Sequence, residues 1–85
     1  MADKAKKIGS ITHYYSKLGV GIIKLDNKLK VGDKVRIEGN SSDFEQTVSQ
    51  IQFDHEDIDS GKKGQEVGIK VKNKVREGDK VFLVE

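Results

Sequence analysis

Two stretches of this chain admit only one local geometry. Over residues 34–39, Val35 and Ile37 alternate with Lys34, Arg36 and Glu38; over residues 66–72, Val67, Ile69 and Val71 alternate with Gly68, Lys70 and Lys72. A period of two is the repeat of an extended strand with one packed face and one wet face. Four further segments, 8–15, 19–25, 44–53 and 80–84, also read as strands. The turn-rich runs "DNK", "GD", "GNSSD", "SGKKGQ" and "EGD" separate the later ones. Ser16, Lys17 and Leu18 join the first two strands, a link short enough for a hairpin.

The alternation breaks twice. Ile8 and Ile11 have opposite parity, as do Val48 and Ile51. A β-bulge, or a strand that bends from one part of a sheet to another, would bury both members of each pair. Six strands with regularly spaced turns and no long helical pattern predict an all-β fold: a small six-stranded antiparallel β-barrel, closed or partly open. Residues 56–60 are expected to hold a turn of helix at most. Residues 1–7 are expected to be a frayed tail, and 8–85 a single domain.

Gly-Asp-Lys-Val occurs twice, from Gly32 and from Gly78. A tandem repeat needs similarity over tens of residues at a fixed period, which is absent. One piece of turn chemistry used twice explains the pair. Gly supplies permissive backbone angles, Asp bonds nearby backbone, and a strand starts at once.

Composition limits the function. At 85 residues there is room for one small domain, and 34% hydrophobic against 35% charged residues implies a thin core under a dense charge layer. There is no Cys, hence no disulfide, thiolate nucleophile or Cys zinc ligand. No apolar run reaches the length of a spanning helix, and the first residues lack a secretory apolar region, so no membrane role and a cytoplasmic location are expected. His13 and His55 lack zinc spacing, the serines lack a nucleophile elbow, and "DHEDID" lacks the glycine and ligand order of a calcium loop. No catalytic residue, metal or cofactor is predicted.

The order of motifs is more specific than any one of them. It runs "IGSITHY" from Ile8, "GVGIIKL" from Gly19, "LKVGDKVRIEG" from Leu29, "VSQIQ" from Val48, "SGKKGQEVGIKV" from Ser60 and "REGDKV" from Arg76. This series resembles the second-domain β-barrel of elongation-factor-Tu-like translation GTPases, over nearly all of residues 8–84. It is also similar to the C-terminal barrel of some U32-family peptidase-like proteins. The resemblance implies a barrel without the motor. "GKKGQE" at Gly61 is not a phosphate loop, so no nucleotide hydrolysis is expected. The elongation factor's longer segment after the "VGI" strand is shortened here, so its pocket for the tRNA acceptor end is not carried over.

Charge is unevenly spread although the net is only +2. Asp54, Glu56, Asp57 and Asp59 form an acidic group, read as a solvated loop. Lys62, Lys63, Lys70, Lys72, Lys74 and Arg76 form a basic one. With Val67, Ile69 and Val71 inward, Lys70 and Lys72 point outward, and Lys74 and Arg76 keep that parity if the chain stays extended. Cations about 7 Å apart can follow a phosphate backbone. The plainer alternative is a solvated, edge-protecting face. Tyr14 and Tyr15 face opposite sides of a strand. One is expected to pack inside; the other, with His13, offers a stacking platform for a base, and Tyr14 and His13 are taken as the candidates. Phe44, Phe53 and Phe82 are expected in the core.

These readings give a non-catalytic binding module that contacts RNA or a ribonucleoprotein (tRNA, rRNA or the ribosome) through its basic face. The alternative is a protein-interaction module that docks onto a partner, such as a U32 peptidase-like or RNA-modifying enzyme.

Overall fold

The computed structural model describes residues 6–39, 43–54 and 56–84. Within them lie ten strands: β1 (Lys6–Tyr15), β2 (Val20–Leu25), β3 (Leu29–Lys30), β4 (Lys34–Glu38), β5 (Asp43–Thr47), β6 (Ile51–Phe53), β7 (Glu56–Ile58), β8 (Ser60–Gly61), β9 (Glu66–Lys70) and β10 (Lys80–Val84). Eight form one antiparallel sheet in the order β5-β4-β10-β1-β2-β9-β6-β7; β3 and β8 make a separate two-residue ladder. The fold is all-β and the wall is partly open, because among the described residues no ladder joins the two ends of the large sheet.

The predicted strand 44–53 is two strands. Residues 44–47 pair with β4 in β5, and residues 51–53 pair with β9 and β7 in β6. The chain bends between them, so Val48 and Ile51 are both buried despite their parity. The two far-apart parts of the sheet are thus joined by three residues of chain. Gln46 bridges the seam further: its Nε2 donates to the Lys70 carbonyl (2.6 Å) and its Oε1 accepts from the Lys72 N–H (2.9 Å). One side-chain amide replaces one step of a missing ladder.

β1 carries two bulges, and the first of them resolves the other parity break. The register of β1 against β10 shifts between Lys7 and Gly9, and against β2 between Ile11 and His13. The bulge at Ile8 lets Ile8 and Ile11 both turn inward, and the one at Thr12 reverses the parity of the residues that follow. The expected turn of helix at 56–60 is instead strand β7 and β8, paired to β6 and β3. Of the expected tail, Lys6 and Lys7 belong to β1 and pair with Leu83 and Phe82; residues 1–5 lie outside the described residues.

The core is aliphatic: Ile8, Ile11, Ile23, Leu25, Leu29, Val35, Ile37, Val48, Ile51, Val67, Ile69, Val75 and Val81 are almost inaccessible. Each such side chain contributes about 1.5–3 kcal/mol by leaving water. Phe44 and Phe53 pack against this cluster from its margin. Phe82 corrects the expectation. It alternates with the inward Val81 and Leu83, so it lies half-buried on the outer face of β10.

The turn used twice is in fact used three times: residues 30–33, 62–65 and 76–79. In each, the fourth residue's N–H donates to the first residue's carbonyl, at 3.1 Å in all three. The fourth side chain, Asp33, Gln65 or Asp79, accepts from the first residue's N–H at 2.9, 2.8 and 3.0 Å. The third residue, Gly32, Gly64 or Gly78, has φ of +98°, +90° and +93°, which glycine adopts without strain. Each glycine N–H donates at 2.8 Å to the carbonyl of Val48, Leu25 or Ile11, and each of these donates back to the turn's last carbonyl. Two residues later Val35, Val67 and Val81 enter the core.

Candidate docking groove

Tertiary pairing decides which side chains share the outer face of β2, β9 and β6. On β2 the inward residues are Gly21, Ile23 and Leu25, so Val20, Ile22 and Lys24 look out. On β9, Val67 and Ile69 look in, leaving Glu66, Gly68 and Lys70 outside. On β6 the outward residue is Gln52. Register places Gly68 between Ile22 and Gln52. A Cβ at Gly68 would lie 3.1 Å from Val20 Cγ1 and 3.3 Å from Ile22 Cδ1, so the absence of a side chain keeps a channel open along β9.

Two adjoining depressions of about 200 and 240 Å³ form this channel and share Leu18, Val20, Gln52 and Gly68. Tyr15 and Leu18, at 49% and 65% exposure, are the large apolar side chains at its upper rim. The second β1 bulge puts Tyr15 there: beyond Thr12 the parity is reversed, so Tyr14 pairs opposite the inward Gly21 and Tyr15 opposite the outward Val20. Lys70 lies at one end of the channel, and Asp54 and Glu66 at the other.

The polar wall is fixed from behind. Gln50 and Gln52 both donate Nε2 to Asp57 Oδ1, at 3.0 and 3.1 Å. These two bonds hold the Asp57 carboxyl below the ordinary carboxylate range. With an amide nitrogen of each bonded to Asp57, Gln50 and Gln52 line the channel as one polar wall.

The expected binding residues do not form one row. Lys62 and Lys63 sit in the turn beside Leu25, at the Glu66 end of β9. Lys70 is at the other end, four residues or about 13 Å of strand away. Beyond Lys70 the ladder stops. Val71 and Val75 pack over Gly21, and Lys72, Lys74 and Arg76 lie exposed on the connection to β10. The Arg76 N–H is held by the Asp79 carboxylate. His13 Nδ1 lies 3.2 Å from Glu77 Oε2 and its ring stacks on Tyr15, with centroids 6.1 Å apart. The stacking partner is Tyr15 rather than Tyr14, because residues two apart share a strand face; Tyr14 is half-buried against the core. His55 lies outside the described residues. Among the described residues, no three His, Asp or Glu side chains converge as a metal site.

Sequence reasoning missed the groove. Its signals were Gly68 at an outward strand position and a β2 segment apolar at both parities, which reads as burial on both faces unless the neighbours are known.

No family model matches the chain. It is 40% identical over 98% of its length to an uncharacterized protease of Methanocaldococcus jannaschii, and 32% identical over 88% to a collagenase of Porphyromonas gingivalis. The matched region is 21% of each relative, so the chain spans about one-fifth of their length. Two crystal structures of the C-terminal domain of a Geobacillus thermoleovorans protein described as a U32 peptidase superpose with TM-scores of 0.85 and 0.86. They cover 89% and 92% of this chain, and 96% and 91% of their own, at 22% and 21% identity. These relatives support the resemblance to U32 barrels and give no support to a translation-factor identity. The chain has the fold of that U32 peptidase C-terminal domain, on a sequence similar to one-fifth of proteins named as proteases.

Proposed function

We propose that the chain is a non-catalytic β domain that docks onto the body of a U32-type protein through the groove over Gly68. The observation that carries this reading is the exposed apolar rim of Tyr15 and Leu18 above a channel floored by glycine. A face that only met water would not need that channel kept empty, and exposed apolar patches of this kind mark interaction surfaces. The relatives add a partner: they are proteins five times longer that are named as proteases or a collagenase, so a body of that type is the surface to test.

The test uses the purified chain and the Methanocaldococcus jannaschii relative lacking its matching fifth, mixed and measured by calorimetry. Binding that weakens at least tenfold in Leu18→Asp, and is unchanged in Lys72→Glu with Arg76→Glu, supports the reading. Absence of binding, or equal binding by Leu18→Asp, overturns it. A parallel tRNA titration covers the nucleic-acid alternative. Suppose four basic residues each neutralised a phosphate. RNA affinity would then fall roughly fiftyfold for a fourfold rise in salt, and Lys72→Glu with Arg76→Glu would abolish it. That result, without protein binding, would replace the docking reading.

A further inference from the structure

The groove has a polarity that specifies its occupant. The outward row of β9 reads Glu66, Gly68, Lys70: carboxylate, gap, ammonium, with every second residue on the same face. At the Glu66 end, Asp54 adds a second carboxylate and Lys24, paired opposite Glu66, offsets one of them. The charged side chains that line the channel itself are thus Asp54 and Glu66 at one end and Lys70 at the other, with Lys62 and Lys63 in the turn beyond the acidic end. Between them the walls are Val20 and Ile22 on one side and Gln50 and Gln52 on the other.

An extended peptide has the same period. Its side chains at positions −2, 0 and +2 face one way and span about 13 Å. We infer that the docking segment is an extended stretch with a large apolar residue at its centre, an acidic residue two positions to one side and a basic residue two positions to the other. The apolar side chain occupies the gap over Gly68 against Val20, Ile22 and Leu18. The acid meets Lys70 and the base meets Glu66 and Asp54. On the polar wall, Gln50 and Gln52 each carry an Oε1 acceptor besides the Nε2 that is bonded to Asp57. Either can accept from the occupant's backbone, which rewards an extended segment over a helix. This inference rests on the docking reading and adds the chemistry of the segment that would enter the groove.

The experiment uses ¹⁵N-labelled chain and nine-residue peptides with a central Leu, titrated at low salt. One peptide carries Glu and Lys at −2 and +2; the controls carry two Glu, two Lys, or Ser in place of Leu. The mixed-charge peptide is expected to shift the amides of Glu66, Gly68 and Lys70 and to bind at least threefold tighter than either like-charge peptide. The Ser peptide is expected to lose binding. In Lys70→Glu, which makes both ends acidic, the preference should pass to the two-Lys peptide. A purely structural role for Lys70 would not move that preference. No shifts at millimolar peptide, equal affinity for all charge patterns, or an unchanged preference in Lys70→Glu each overturns the inference. Such a failure beside retained binding of the protease body leaves the docking reading standing. Selective peptide binding without binding of the body would leave the groove assignment and remove the partner.

Discussion

Single residues carry sharply different roles in apparently equivalent turns. Gly32 has φ +98° and open space around its missing Cβ, so Gly32→Ala adds backbone strain alone, about 1–3 kcal/mol. Gly39 has no positive φ, yet a Cβ there would overlap the buried Asp79 carboxylate, which accepts from Arg76. Gly39→Ala is therefore expected to cost about 1–3 kcal/mol by displacing that carboxylate. The two mechanisms separate in urea denaturation. Asp79→Ala should recover part of the Gly39→Ala loss and none of the Gly32→Ala loss, a coupling that a double-mutant cycle reads directly. Asp57 gives a pH prediction. Its folded pKa is depressed by Gln50 first and then Gln52. Its contribution to stability is therefore complete above the unfolded pKa and lost as pH falls through the folded one. Because the group is exposed the contribution is small, and a carboxyl-carbon NMR titration is the suitable measurement. Asp57 should titrate below the ordinary carboxylate range, and Gln50→Ala with Gln52→Ala should raise it.

At the scale of elements, Gln46 is the predicted weak point of the open wall. Gln46→Ala removes both bonds across the seam and should raise the hydrogen-exchange rate of the Lys72 amide with little change at β2 or β10. Gln46→Glu should be worse at neutral pH, since it sets an acceptor against the Lys70 carbonyl where a donor stood. If Lys72 exchanges equally in all three proteins, the bridge contributes nothing. The same scale shows what the sequence could reveal. The alternations at Val35 and Ile37 and at Val67 and Ile69 disclosed β4 and β9, because a strand's burial pattern is local. The parity breaks at Ile8/Ile11 and Val48/Ile51 disclosed that the chain must bulge or bend, but not where. The second bulge, at Thr12, decides which tyrosine faces out, and it depends on the register with β2. The likeness of the third turn was hidden because Gln65 stands where the other two have Asp. Its longer side chain makes the same bond to the residue three before it. The groove was hidden for a related reason: Leu18, Val20, Gln52 and Gly68 come from three separate stretches of chain and meet only through pairing.

The whole molecule depends most on its last strand. β10 lies between β4 and β1 and aligns Lys6 with Leu83, and Val35 also with Leu83. Among the described residues neither neighbour has another partner on that side, and β10 is the only strand that links the β5-β4 pair to the β1-β2-β9 part of the sheet. Without it Gly9 and Ile37 would lose their paired neighbour, Val81, and two inner strands would become edges. Such a sheet cannot form its centre until the chain's two extremes meet. Folding of the intact protein should accordingly be slow for its size, in the millisecond-to-second range of non-local β topologies. Deleting residues 80–85 should abolish the cooperative thermal transition seen by circular dichroism, rather than merely lower its midpoint. A synthetic peptide of residues 79–85 should restore β-sheet signal when added to the truncated chain, because the missing strand can pair with β4 and β1 as they fold without a covalent link to either. A truncated chain that still melts cooperatively would mean that β4 and β1 can pair directly, and that the strand order is set by something other than the burial of Val81 between them.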